Sequence, residues 1–191
     1  MTYFVQLSIP VSGGNWAGKS VLLFACTDCV DEDYLIPELL ESGLRDAVVP
    51  AGFIEKCQTN FRLIVCSTDE AVIRTDYQER VVFQPLEQRS VSTQPMAAKI
   101  GGNPRWILDD ESPSRLSSGD TFVFLGQLTN DKPWPIVDGA PPQMEPDYSQ
   151  RGKASRPSSY REYSLFVDNT IYLFGVDSPG YHGVYVIVQS D

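Results

Sequence analysis

Two adjacent glycines followed by Asn103-Pro104 constrain this chain more than any other feature. Gly101 and Gly102 permit positive φ, and the residue before a proline is pushed out of the helical region. The segment K-I-G-G-N-P-R-W, Lys99 to Trp106, must therefore turn sharply, and it sets Trp106 at a defined point beyond the turn. After an acidic stretch comes T-F-V-F-L-G-Q-L, Thr121 to Leu128, bounded by Gly119-Asp120 and Thr129-Asn130. A short apolar run with such flanks predicts a buried strand, here carrying one amide, Gln127. The first segment reads as a clamp and the second as the central strand.

Elsewhere the pattern is mostly that of short strands. Tyr3 to Ile9 alternates, is rich in aromatic and branched residues and stops at Pro10; Phe61 to Ser67 and Tyr77 to Pro85 are also predicted strands. One helix is expected after Cys29. Asp31, Glu32 and Asp33 supply the cap and first-turn charge, Leu35, Ile36, Leu39 and Leu40 recur at helical spacing, and Gly43 stops it. A weaker helix over Leu44 to Cys57 is interrupted by Pro50 and Gly52.

Gly13, Gly18, Lys19 and Ser20 match the phosphate-loop pattern G-x-x-x-x-G-K-[ST]. That pattern holds a phosphate when the loop opens a helix whose first amides face the anion. Val21 to Ala25 reads as a strand instead, and Trp16 is a bulky occupant of the loop, so a glycine-rich hairpin is the reading taken.

The second half repeats the first in outline. Phe4-Val5-Gln6-Leu7 corresponds to Leu125-Gly126-Gln127-Leu128, Ser20 to Ala25 to Thr170 to Gly175, and Phe61 to Ser67 to Val184 to Ser190. The expected fold is α+β and mainly β: two pseudo-repeated antiparallel β units, about 1–85 and 95–191, in one compact domain. The first unit carries a helical insertion and the second a long loop, Asn130 to Tyr163. That loop is too rich in Pro, Ser, Gly and charge to build a core of its own, so it is expected at the surface. Trp134, Met144 and Tyr148 are its apolar or aromatic anchors, suited either to docking on the sheet or to contacting a partner.

With 191 residues the chain can bury roughly 70% of its unfolded surface. Lys and Arg total 15 against 25 Asp and Glu, a formal charge of −10, which repels nucleic acid and anionic lipid and attracts basic partners. The N-terminus has no basic n-region or cleavage site and the apolar runs are far short of a membrane span, so a cytoplasmic protein is expected. Cys26, Cys29, Cys57 and Cys66 are too few for a disulfide scaffold and lack a second close pair for zinc, so they are expected as buried free thiols. His182, in G-Y-H-G, is the single histidine and reads as a turn residue; no G-x-S-x-G elbow accompanies it.

The K-I-G-G-N-P-R-W element, F-L-G-Q-L at 124–128, I-Y-L-F-G-V-D at 171–177 and V-Y-V-I-V-Q at 184–189 resemble the YwqG-like family of bacterial proteins. The same order resembles the programmed-cell-death-2-like chaperones of a ribosomal protein, whose members carry K-x-G-G-x-P-x-W, an F-L-x-Q strand and a paired-strand ending. The match covers about the last half of the chain. Those chaperones also have cysteine pairs after the tryptophan element, whereas no cysteine follows Cys66 here, so their zinc site does not carry over. Both resemblances imply a protein that holds other proteins, and some YwqG-like members are immunity proteins paired with toxins delivered between bacteria.

These readings lead to a non-catalytic, cofactor-free and metal-free binding protein. Its expected partner is a basic toxin, of nuclease type, whose phosphate-binding cleft an acidic inhibitor can fill. The alternatives are a chaperone or adaptor for a basic client and, third, a nucleotide-binding enzyme using Gly13 to Ser20. The expected contact residues are Asp109, Asp110 and Glu111, then Asp31, Glu32 and Asp33, and the loop positions Trp134, Asp138, Glu145, Asp147 and Tyr148. Asp109 to Glu111 stands out, because a charge cluster on a rigid turn loses little entropy on binding.

Overall fold

Strand-forming residues dominate, and the described residues form thirteen short strands and one turn-and-a-half of α-helix. A computed structural model describes residues 1–10, 14–29, 37, 40, 45–69, 72, 76–84, 98–129, 133–149 and 154–190. The first half holds β1 (Thr2–Ser8), β2 (Lys19–Ala25), β3 (Val48–Val49), α1 (Phe53–Cys57) and β4 (Phe61–Ser67). The second holds β5 (Lys99–Ile100), β6 (Arg115–Leu116), β7 (Thr121–Leu128), β8 (Trp134–Pro135), β9 (Met144–Pro146), β10 (Ser155–Pro157), β11 (Glu162–Tyr163), β12 (Thr170–Asp177) and β13 (Val184–Gln189).

Two sheets carry the core. The first is antiparallel in the order β1-β2-β4; the second runs β13-β12-β7-β6-β3, with β5 also pairing β7. Phe4, Leu7, Val21, Leu23 and Phe61 lie on the inner face of the first sheet, Phe4 joining Leu7 there because a bulge at Phe4 breaks the alternation of β1. They meet Leu125, Ile171, Leu173, Val184 and Val186 from the second sheet in one buried cluster. Trp16, in the short 3-10 turn Gly14–Trp16, fastens the two halves: it is 1% exposed, its Nε1 donates to Val176 O at 3.2 Å, and its indole lies where a side chain on Gly175 would be. The lack of a Cβ at Gly175 is what admits the ring.

The strands aligned by sequence occupy matching places. β2 lies between β1 and β4, and β12 between β7 and β13; Gln6 pairs with Leu22 and Gln127 with Tyr172, Leu22 pairs with Ile64 and Tyr172 with Ile187. A bulge falls at Phe4, between the pairs Tyr3–Phe24 and Val5–Leu23. Another falls at Leu125, between Phe124–Phe174 and Gly126–Leu173. Strand order alone would be that of any meander; the shared registers and bulge position are more specific.

Several expectations change. Tyr77–Gln84 is not a strand: Val81 makes a single bridge to Ile136, because the partner segment has Pro133 and Pro135, which have no N–H to continue a ladder. Val48–Val49 is a strand parallel to β6, not helix, and among the described residues of the Leu44 to Cys57 stretch only Phe53–Cys57 is α-helical. The helix expected from Asp31 to Gly43 lies outside the described residues except Pro37 and Leu40, neither of which is helical. Lys19 and Ser20 open β2, so no helix follows the glycine-rich segment; Gly13 itself is not described.

The described residues of the 130–163 loop carry more regular structure than its composition suggested. They form two ribbons, β8 with β11 and β9 with β10, and bury Ile136, Ala140 and Tyr163. Side chains supply what the prolines withhold: Gln143 bonds Ser164 N and O at 2.8 and 3.0 Å, and Tyr163 donates to Pro141 O at 2.7 Å.

Candidate functional site

The outer face of the second sheet is where the clamp lies. Gly101 and Gly102 have φ of 68° and 72°, and Gly101 N donates to Leu125 O at 2.8 Å, which turns the chain away from β5 and across the strands. Gly126 lets β5 approach, since a Cβ there would sit 2.6 Å from Lys99 O. Lys99 Nζ then closes the turn on Asn103 O at 2.6 Å.

From Arg105 to Asp109 the backbone has no strand partner, and three side chains take the place of one. Gln127 Oε1 on β7 accepts from Arg105 N at 2.8 Å. The Tyr172 hydroxyl on β12 donates to Arg105 O at 2.9 Å and accepts from Ile107 N at 3.1 Å. Gln189 on β13 accepts from Ile107 N and Leu108 N at 3.2 and 3.1 Å, and its Nε2 donates to Asp109 O at 2.9 Å. Trp106 packs on Tyr172 with ring centroids 4.3 Å apart and stacks on Phe174 at 6.0 Å. Beneath it, Val49, Ile54, Leu116, Tyr185 and Ile187 complete a second apolar cluster, so β12 is buried on both faces. Gln127 is fully buried, and its Nε2 is without a partner among the described residues.

The acidic turn leaves this strap directly. Asp109 is exposed beside Leu108, itself 61% exposed. Asp110 folds back: its Oδ1 accepts from Ser112 N at 2.9 Å, and Arg45 Nε stands 3.9 Å from Oδ2. The Ser112 backbone amide, more than the distant arginine, holds this carboxyl below the usual carboxylate range. Glu111 goes the other way, because partial burial disfavours its charged form and raises its pKa. Asp109 is thus the outward charge of the turn, Glu111 is half-buried, and Asp110 shapes the turn.

The remaining expected contacts lie on other supports. Asp138 and Tyr148 are exposed, the latter at 75%. Glu145 pairs with Arg156 at 2.9 Å. Asp147 is buried and caps its own turn through Ser149 N and Oγ at 3.0 and 2.6 Å. Trp134 docks on the core, edge-on to Phe4 at 5.7 Å, which leaves it half-buried. Asp31, Glu32 and Asp33 lie outside the described residues.

The cysteines are not four free thiols. Cys26 and Cys29 are joined in a disulfide, while Cys57 is a buried free thiol and Cys66 a half-buried one. With its loop shorter than any core-spanning link, that disulfide is easily overlooked in a chain with few cysteines. Among the described residues no group of three or more His, Cys, Asp or Glu is placed to hold a metal ion. His182 is half-buried and packs edge-on to Trp16 at 5.5 Å, and burial followed by the Lys19 charge lowers its pKa. No described helix is long and apolar enough to cross a membrane.

Sequence reasoning located the clamp and Gln127 but missed Tyr172 and Gln189 as its other anchors. Their signal was faint: two polar atoms in otherwise apolar strands, I-Y-L-F and V-I-V-Q. No protein-family model, curated protein or solved structure matches the chain.

Proposed function

We propose that this chain is a non-catalytic binding protein, an immunity protein that sequesters a basic toxin of nuclease type inside the cell that makes it. The observation that carries the reading is the acidic turn Asp109–Glu111 on a strap whose backbone is held by Gln127, Tyr172 and Gln189, in a chain of formal charge −10. A carboxylate on a preorganised support gives up little conformational freedom when it meets a cation. Its charge also speeds encounter with a basic cleft. Leu108 adds an exposed apolar contact next to the outward Asp109.

The same reading takes the two sheets as copies of one β unit, supported by the shared registers and bulge position. On that view the strap is what the second copy has added to its outer face. In the first sheet the aligned amide, Gln6, is exposed and its Nε2 bonds Ser20 Oγ at 3.0 Å.

The test is capture of the partner from the native cell by the tagged chain, followed by titration with salt. A basic toxin is expected, with an affinity that falls as salt rises and drops about tenfold or more in Asp109→Lys, while Asp138→Lys on its separate ribbon has a smaller effect. A partner that is acidic, or one bound equally well by Asp109→Lys, refutes the proposal.

A further inference from the structure

Where β2 ends, the chain makes a short covalent turn that the binding role does not use. Cys26 N donates to Asn60 O at 2.8 Å, and the disulfide to Cys29 closes across Thr27 and Asp28 with Cα atoms 5.4 Å apart. Such a cross-link constrains the unfolded chain little, because the loop it closes is so short. A chemical role fits it better than a structural one.

The two sulfurs are inequivalent. Cys29 is exposed and Cys26 half-buried. The Cys29 backbone N–H points at Cys26 Sγ, with N to S 3.0 Å. Cys26 also lines a polar cleft of about 210 Å³ whose wall includes Asp28, Tyr77, Gln78 and Arg80. Arg80 is anchored there by Thr27 Oγ1 at 3.1 Å and Asp28 at 3.2 Å, which places a guanidinium on the cleft wall and offsets the nearest carboxylate. Asp76 is the other carboxylate of the wall.

We propose that Cys26 and Cys29 form a thiol–disulfide exchange site for low-molecular-weight thiols, in which Cys29 takes the attack and Cys26 is the leaving sulfur. A thiolate RS⁻ attacks the accessible Cys29 Sγ and forms a new S–S bond. The Cys26–Cys29 bond breaks, and its electron pair departs on Cys26 Sγ, where the Cys29 N–H is already directed. A second RS⁻ attacks the outer sulfur of the mixed disulfide, releasing RSSR and leaving Cys29 as a thiolate. The two protons lost by the two RSH end on Cys26 and Cys29, so two thiols are oxidised to one disulfide as the protein disulfide is reduced. Hydrogen bonding to the departing thiolate speeds the first step by making it the better leaving group.

The experiment uses the full unmodified chain and glutathione as the thiol. Protein equilibrated across a graded series of reduced-to-oxidised glutathione is quenched in acid, alkylated and read by mass spectrometry. The expected result is one cooperative two-thiol step at Cys26 and Cys29 within the series, with Cys57 and Cys66 scoring as thiols throughout. Rapid quenching early in reduction should find glutathione on Cys29 and alkyl on Cys26 in about tenfold excess over the reverse. A disulfide that stays closed at every ratio, a protein that never forms it, or glutathione shared evenly between the two sulfurs overturns the proposal.

Discussion

Replacing Gln189 by leucine tests whether side-chain amides, acting as a substitute strand, hold the acidic strap. Gln189 is 3% exposed and makes three bonds to the strap: from Ile107 N, from Leu108 N and to Asp109 O. Leucine nearly conserves the volume, so packing changes little. Ile107 N–H keeps the Tyr172 hydroxyl at 3.1 Å, and the change therefore strips a partner from two backbone groups, Leu108 N–H and Asp109 C=O. Fully buried, each orphan would cost about 1–3 kcal/mol. Leu108 is 61% exposed, so water recovers part of this, and the expected total is about 1–2 kcal/mol. Urea unfolding should show a lower midpoint at unchanged slope, and amide exchange at Leu108 should accelerate. Gln6→Leu is the control: that amide is exposed, and its loss should stay within about 0.5 kcal/mol. A Gln189→Leu protein as stable as the Gln6→Leu control, with Leu108 exchange unchanged, would refute the reasoning.

Gly175→Ala should destabilise by about 1–3 kcal/mol, because the new methyl overlaps the indole of Trp16 that joins the halves. In a Trp16→Leu background the same change should cost less, and a double-mutant cycle by chemical denaturation measures the coupling; full additivity would argue against a direct clash. Glu111→Gln probes pH. Burial raises the folded pKa of Glu111 above its ordinary 4.5, so the folded state holds that proton more tightly and the charge costs stability once pH exceeds the ordinary value. Removing the charge should add a few tenths of a kcal/mol at pH 7, a gain that fades as pH falls through the ordinary value, seen in melting temperatures across pH. Asp110→Asn should behave oppositely, since the Ser112 amide favours its charged form: a loss near neutrality that disappears in acid.

The two sheets share more than strand order, and the strap is where they part. Both bulges fall at aligned residues, Phe4 and Leu125, and β2 and β12 keep the same register on either side. On the outer face the second sheet buries Tyr172 and Phe174 under Trp106, whereas the first leaves Ile64 49% exposed. The two sheets also differ in extent: the first has three strands, whereas the second continues past β7 to β6 and β3 and takes β5 on β7.

Much of the local structure was legible from the residues alone. Thr121–Leu128 and Phe61–Ser67 are strands over the expected residues, since a short apolar run and its flanking turn formers act within a few residues. The Gly101-Gly102-Asn103-Pro104 turn was equally readable, because positive φ and the proline restriction are properties of the backbone itself. What no local pattern contained was which remote groups would meet. Gln127, Tyr172 and Gln189 converge on one strap only because β7, β12 and β13 become neighbours. Polar, proline-rich ribbons order themselves because Gln143 and Tyr163 find backbone partners some twenty residues away. Trp16 reads as an awkward loop residue until Gly175 offers it a place. Propensity is decided over a turn or a strand; the satisfaction of buried polar groups and the filling of space are decided by the whole chain at once, and those choices place the acidic turn at the surface.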